Sequence, residues 1–181
     1  MLIITGLFLF KSGLVMAENQ AGNSAQLALS VKFNKEEQEA LDLKRKELAI
    51  RAVLNRYDSP MAGQEKSFIE ACKKYNLDCY LLPSIAGLES TFGRFILPNS
   101  YNPFGWGRGY LMFNGWPESI DAVGQGLRNN YINRGAEGVY GIGPIYSESP
   151  TWAVRVAWFM NEFEKEEGKI SLLSSDFPVK L

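Results

Sequence analysis

The chain has no histidine. That absence excludes Ser-His-Asp and Cys-His nucleophilic catalysis and nearly all zinc-hydrolase chemistry, which depend on an imidazole as base or ligand. Cysteine is scarce as well: Cys72 and Cys79 are the only two, and two thiolates make neither a closed zinc site nor a four-cysteine cluster. No metal or cofactor is expected. An excess of either charge is also missing. With 19 Lys and Arg against 20 Asp and Glu, the formal net charge is -1, so no nucleic-acid partner is expected, because phosphate-backbone binding needs basic excess. Carboxylates remain as the source of reactivity.

What is present fits one domain with an N-terminal extension. The length of 181 residues allows a sizeable core. Residues 1–17 form an apolar run ending Val15-Met16-Ala17 and read as an export signal, with retention as a membrane anchor the alternative. Residues 18–33, small and polar around Gly22-Asn23-Ser24, read as a linker. Asn34 with Glu37 makes a capping-box start for a charged helix over 34–58, whose Lys35, Glu36, Glu37, Lys44, Arg45, Lys46 and Glu47 read as a solvated face. The main domain is expected over 59–170 and a tail over 171–181. Export would let Cys72 and Cys79 form a disulfide across a short turn; two buried free thiols are the alternative.

Within the domain, the patterning predicts a helix ending near Tyr75 with Phe68, Cys72 and Tyr75 on one stripe. A second helix follows Asp78, which can cap it. Leu82, Ile85, Ala86 and Glu89 stand at i, i+3, i+4 and i+7, which puts Glu89 on that helix's apolar side, with Gly93 as C-cap. Apolar surroundings and the negative end of the helix dipole would favour a protonated carboxyl there, as a general acid requires. Phe104-Gly105-Trp106-Gly107 and Tyr110 to Phe113 suggest a hairpin turning near Arg108-Gly109, with Phe104 and Trp106 sharing a face. Pro117 opens a helix with Ile120, Val123, Leu127 and Tyr131 inward and Gly135 at its stop. Ser149 and Pro150 start a last helix carrying Trp152, Val156, Phe159, Met160 and Phe163, with Gly168 after its end.

Ala86-Gly87-Leu88-Glu89-Ser90-Thr91-Phe92-Gly93, followed by Tyr101-Asn102-Pro103-Phe104-Gly105, resembles the lysozyme superfamily, and within it the glucosaminidase family of bacterial peptidoglycan hydrolases of the flagellar and autolysin type. Lys74 through Leu82 resembles the approach to the catalytic helix of lytic transglycosylases. Trp116-Pro117-Glu118-Ser119-Ile120 and Tyr146-Ser147-Glu148-Ser149-Pro150-Thr151-Trp152-Ala153 are similar to later motifs of the family, and the matches keep family order from about Phe68 to Phe163.

The resemblance implies a mainly α fold of the α+β lysozyme-like kind, a helical bundle with a small β-hairpin flanking a glycan groove. It implies cleavage of peptidoglycan glycan strands in a bacterial envelope or outside the cell, with Glu89 as general acid, no cofactor and no obligate protein partner. Glycosidases ordinarily use two carboxyl groups, and no acid lies between Glu89 and Glu118. Glu118 and Glu137 are candidates for the second, with Asp121 and Glu148 also available. A lone acid fits attack by the substrate's own acetamido group, or a lytic transglycosylase that closes the lactyl-bearing sugar on itself. A non-catalytic peptidoglycan-binding module or an envelope interaction protein are the rivals from other classes. Flat rings suit sugar faces, so Tyr101, Phe104, Trp106 and Tyr146 are candidate substrate contacts, joined by Trp116 and Tyr140. Asn102 could bond an acetamido group or hold a turn. Ser90 could orient Glu89 or bond a preceding carbonyl.

Overall fold

The computed structural model describes residues 12–175. Six α-helices and one 3-10 turn follow in order: α1 Ser12–Arg56, α2 Glu65–Tyr75, α3 Leu81–Ser90, α4 Trp116–Asn130, the 3-10 turn Ile132–Arg134, α5 Gly138–Tyr146 and α6 Trp152–Ser175. The protein is mainly helical. The described residues fall into two units divided between Asp42 and Leu43, and the core and the site described below belong to the second.

α1 overrides the expected linker, since residues 18–33 are helical throughout. One glycine costs a helix about 1 kcal/mol relative to alanine, and the Ala, Gln, Glu, Leu and Met around Gly22 are strong helix formers. Residues 1–11, which hold most of the segment read as an export signal, lie outside the described residues. No described helix is long and apolar enough to cross a membrane.

The second unit is built around α3. Leu81 through Gly87 and Ser90 are buried, and the helix packs on α6 while α2 packs on α4. The last turns of α1 contribute Ala49, Ile50, Val53 and Leu54, all fully buried. Phe68, Ile85, Ile120, Leu127 and Phe163 complete the centre, each contributing about 1.5–3 kcal/mol by leaving water. The charged face expected on α1 is solvated only in part. Glu47 is buried and accepts from Lys44 and Arg51, and Lys46 pairs with Glu167 of α6 at 3.0 Å.

Several helix ends differ from expectation: α4 stops at Asn130 and the 3-10 turn carries the chain on to Gly135, and α6 begins at Trp152, after Ser149 and Pro150. α3 stops at Ser90, and the left-handed turn begins at Thr91 (φ 51°) and runs through Phe92 (56°) before Gly93 (81°). The Phe92 N–H reaches back to Ala86 O at 2.9 Å and its ring is fully buried against Tyr57, Phe159 and Phe163, so an apolar anchor closes the helix in place of glycine. α6 runs through Gly168 to Ser175, into the segment expected as a tail. Glu167, held by Lys46 and by Tyr80 Oη at 2.7 Å, pins the turn where the glycine would have ended it. α5 was not anticipated: it holds three glycines and Pro144, and Val139 and Ile142 bury one face.

The expected hairpin is not formed, and no strand occurs among the described residues. Residues 100–115 curl through turns, with Gly105, Gly107, Arg108 and Gly109 all at positive φ. The side chain of Asn102 takes backbone groups that strand pairing would have used: it accepts from Trp106 N at 3.1 Å and donates to Trp106 O at 2.7 Å and Leu111 O at 3.1 Å. Phe104 and Trp106 consequently do not share a face. Phe104 is fully buried and Trp106 half-buried.

Cys72 and Cys79 form a disulfide, Cα to Cα 4.8 Å, that clamps the turn between α2 and α3. Asn76 ends α2 in the left-handed region, and Asp78 Oδ1 accepts from Tyr80 N at 2.8 Å. Closing so short a loop stabilises by about 2.5 kcal/mol through the unfolded chain. Reduction, or Cys72→Ala with Cys79→Ala, is expected to lower unfolding free energy in urea by about that amount with the helical circular dichroism unchanged. An unchanged midpoint would show that the bridge contributes nothing.

Candidate functional site

Glu89 occupies the last turn of α3, and contrary to the reading from its spacing it is exposed. Nearly every residue of this helix is covered, so an apolar side at i, i+3, i+4 did not exist to be extended to i+7. Its Oε1 accepts a hydrogen bond from Trp152 Nε1, on the first turn of α6, at 2.6 Å. Its Oε2 lies beside Gly105, 3.3 Å from where a Cβ there would stand. Any larger residue at Gly105 would crowd the carboxylate and carry the strain of φ 70°.

Glu89 lines a recess of about 600 Å³ with Ser90, Phe95, Leu97, Asn102, Gly105 and Arg108. A second recess of about 530 Å³ shares Gly105 and Arg108 and continues to Trp106, Tyr131, Arg134 and Tyr146. Each is the size of an ordinary small-ligand site. Glu89 is the one carboxylate on either lining.

The wall between them rests on stacked rings. Tyr146 stacks on Trp152 with centroids 4.6 Å apart, and its hydroxyl donates to Phe104 O at 2.7 Å. That hydroxyl is enclosed, and burial, then the Glu89 charge, push its pKa well above the ordinary phenol value, so it remains a donor. Trp106 lies against α4 because Gly126 has no side chain; a Cβ there would come within 2.0 Å of the ring.

Of the other candidate substrate contacts, Ser90 is buried and structural. Its hydroxyl sits 2.8 Å from Pro103 O and 3.0 Å from Ala86 O and accepts from Gly93 N at 2.9 Å, tying α3 to the loop. Asn102 lines the recess, but its amide is committed to the loop backbone. Phe104 is core. Tyr101 is half-buried and meets Trp116 edge to face at 5.0 Å, and Tyr140 is exposed on a separate depression with Glu148.

The candidate second acids are not brought to Glu89. Glu118 accepts from Asn114 N at 2.6 Å and Asn114 Nδ2 at 2.7 Å, a cap on the start of α4. Asp121 accepts from Tyr75 Oη and Lys74. Glu137 lines another recess, with Asp78, Arg128 and Ile142. Sequence reasoning missed Trp152, which it placed only in the core; nothing in helical spacing shows that a buried indole has its N–H aimed at a carboxylate. Among the described residues, no group of three or more His, Cys, Asp or Glu is placed to hold a metal ion.

No protein-family model and no curated protein matches this chain.

Asn102→Ala removes three hydrogen bonds and leaves their backbone partners unsatisfied, which should cost about 2–3 kcal/mol. Urea denaturation would read that loss, and Trp106 fluorescence should shift to the red as the loop opens. Wild-type stability and an unshifted spectrum would contradict the role given to Asn102.

Proposed function

We propose that the chain cleaves the glycan backbone of peptidoglycan, with Glu89 donating a proton to the glycosidic oxygen. One observation carries this reading: a carboxylate fixed at Oε1 by an indole N–H, with Oε2 at the junction of two adjoining recesses. An oxygen that accepts a hydrogen bond from an N–H cannot also carry the carboxyl's proton conveniently, so a protonated Glu89 would present it on Oε2. A glycan lying across Gly105 would meet that oxygen and shield it from water.

The resemblance to lysozyme-like glucosaminidases supports the same assignment, with the lysozyme-like architecture part of the proposal. So does the aromatic lining, in which Trp106, Tyr131 and Tyr146 offer ring faces and edges to sugars. The Cys72–Cys79 disulfide fits an oxidising setting such as the cell envelope or the exterior.

The lack of a second carboxylate on the linings bears on mechanism. Retaining and inverting glycosidases both need a pair. A lone Glu89 suits a reaction in which the substrate supplies the nucleophile, either its acetamido oxygen or, as in lytic transglycosylases, its own hydroxyl. The same observation favours a second reading, a peptidoglycan-binding module without turnover.

Incubating the purified chain with cell walls and weighing the released fragments by mass spectrometry separates these. Hydrolysis leaves reducing ends and transglycosylation leaves anhydro ends, lighter by one water. Glu89→Gln should reduce product formation by at least about a hundredfold, the scale of a general acid, with circular dichroism unchanged. Full activity in that variant would remove Glu89 from the mechanism. Wall binding with no product would establish the binding module.

A further inference from the structure

The two recesses that meet at Gly105 contain two guanidinium groups without protein partners. Of the other arginines in the second unit, Arg51 pairs with Glu47 and Glu65, Arg56 with Glu162 and Glu166, Arg94 with Tyr57 O, and Arg128 with Tyr75 O and Asn76 O, while Arg155 stands exposed on α6, away from the recesses. The side chains of Arg108 and Arg134 make no hydrogen bond or ion pair among the described residues, and both are exposed on the recess beside the one that Glu89 lines.

Arg108 occupies a place that its backbone does not favour. It sits at φ 58° between Gly107 at 60° and Gly109 at 83°, a left-handed run in which a third glycine would be unstrained. Strain of this kind persists where the side chain has a use. Here the side chain stands on the shared wall, common to both recesses, while Arg134 lines only the second.

We propose that Arg108 and Arg134 form a subsite for a carboxylate carried by the substrate. This rests on the reading of the groove as a glycan site and adds to it the charge of the ligand and its direction. A guanidinium offers a planar fork that matches a carboxylate in bidentate fashion. Arg134 lines only the second recess, so the charged substituent lies there, on the Arg134 side of Gly105. A strand is thereby oriented across Glu89. In peptidoglycan the carboxylate comes from one of two sources: the lactyl group of a peptide-free muramic residue or the stem peptide.

The full chain is titrated calorimetrically with three probes of equal sugar number: a neutral chitin oligosaccharide, a peptide-free peptidoglycan strand and a peptide-bearing one. Carboxylate-bearing strands should bind about tenfold more tightly than chitin, as expected for charge-assisted pairs at an exposed site, and added salt should narrow the ratio. The Arg108→Ala, Arg134→Ala double variant should bring the ratio close to one, and the corresponding Lys variant should keep part of it. Preference for the peptide-free strand assigns the carboxylate to the lactyl group; preference confined to the peptide-bearing strand assigns it to the stem. Equal affinity for all three in the wild type, or a ratio that survives in the double Ala variant, overturns the subsite while leaving the glycan reading in place. Failure to bind any of the three overturns the glycan reading, and the subsite with it.

Discussion

The hydrogen bond from Trp152 Nε1 to Glu89 Oε1 joins the last turn of α3 to the first turn of α6. The indole N–H does something a water could not, because it holds the carboxylate at one angle. Trp152 can do so because it is itself fixed. It is buried, stacked on Tyr146, and Tyr146 is tied through its hydroxyl to Phe104 O. The chain of contacts therefore runs from the loop through two rings to the carboxylate.

The loop between α3 and α4 supplies the opposite wall, and it holds its shape without strand pairing. Asn102 does the work of a ladder with one side chain, and Ser90 fastens Pro103 to α3. Gly105 keeps the space beside Oε2 open, and Gly126 lets Trp106 settle against α4. Each device is local and polar or steric, while the apolar core beneath sets where the elements stand. Specificity of position at Glu89 thus comes from a few hydrogen bonds placed on a rigid base. Accessibility follows from the same design, since the carboxylate is held at a groove and not enclosed in the core.

Helix existence was legible in the sequence wherever an apolar stripe had the helical period, as in α2, α4 and α6. The disulfide was legible as one of two options, and the identity of Glu89 as the carboxylate to watch came from its motif. Its exposure was not. The spacing from Leu82 to Glu89 treats one side of α3 as buried, whereas the surrounding helices cover almost the whole of it and leave Glu89 at the edge. Residues 18–33 are helical because their helix formers outweigh Gly22 and its small neighbours, and α6 passes Gly168 because an ion pair one residue earlier holds the turn. The hairpin failed because alternation of aromatics and glycines cannot reveal that Asn102 will consume the backbone groups. Trp152 illustrates the same limit, being core by its burial yet tied to Glu89 by the aim of a single N–H.

The indole resonance of Trp152 tests the central interaction most directly. In a nitrogen–proton correlation spectrum its Nε1–H should lie downfield of an unbonded indole and return upfield in Glu89→Ala while the Trp106 resonance holds its place. An indole signal at the free position, insensitive to loss of Glu89, would contradict the geometry on which the site is built.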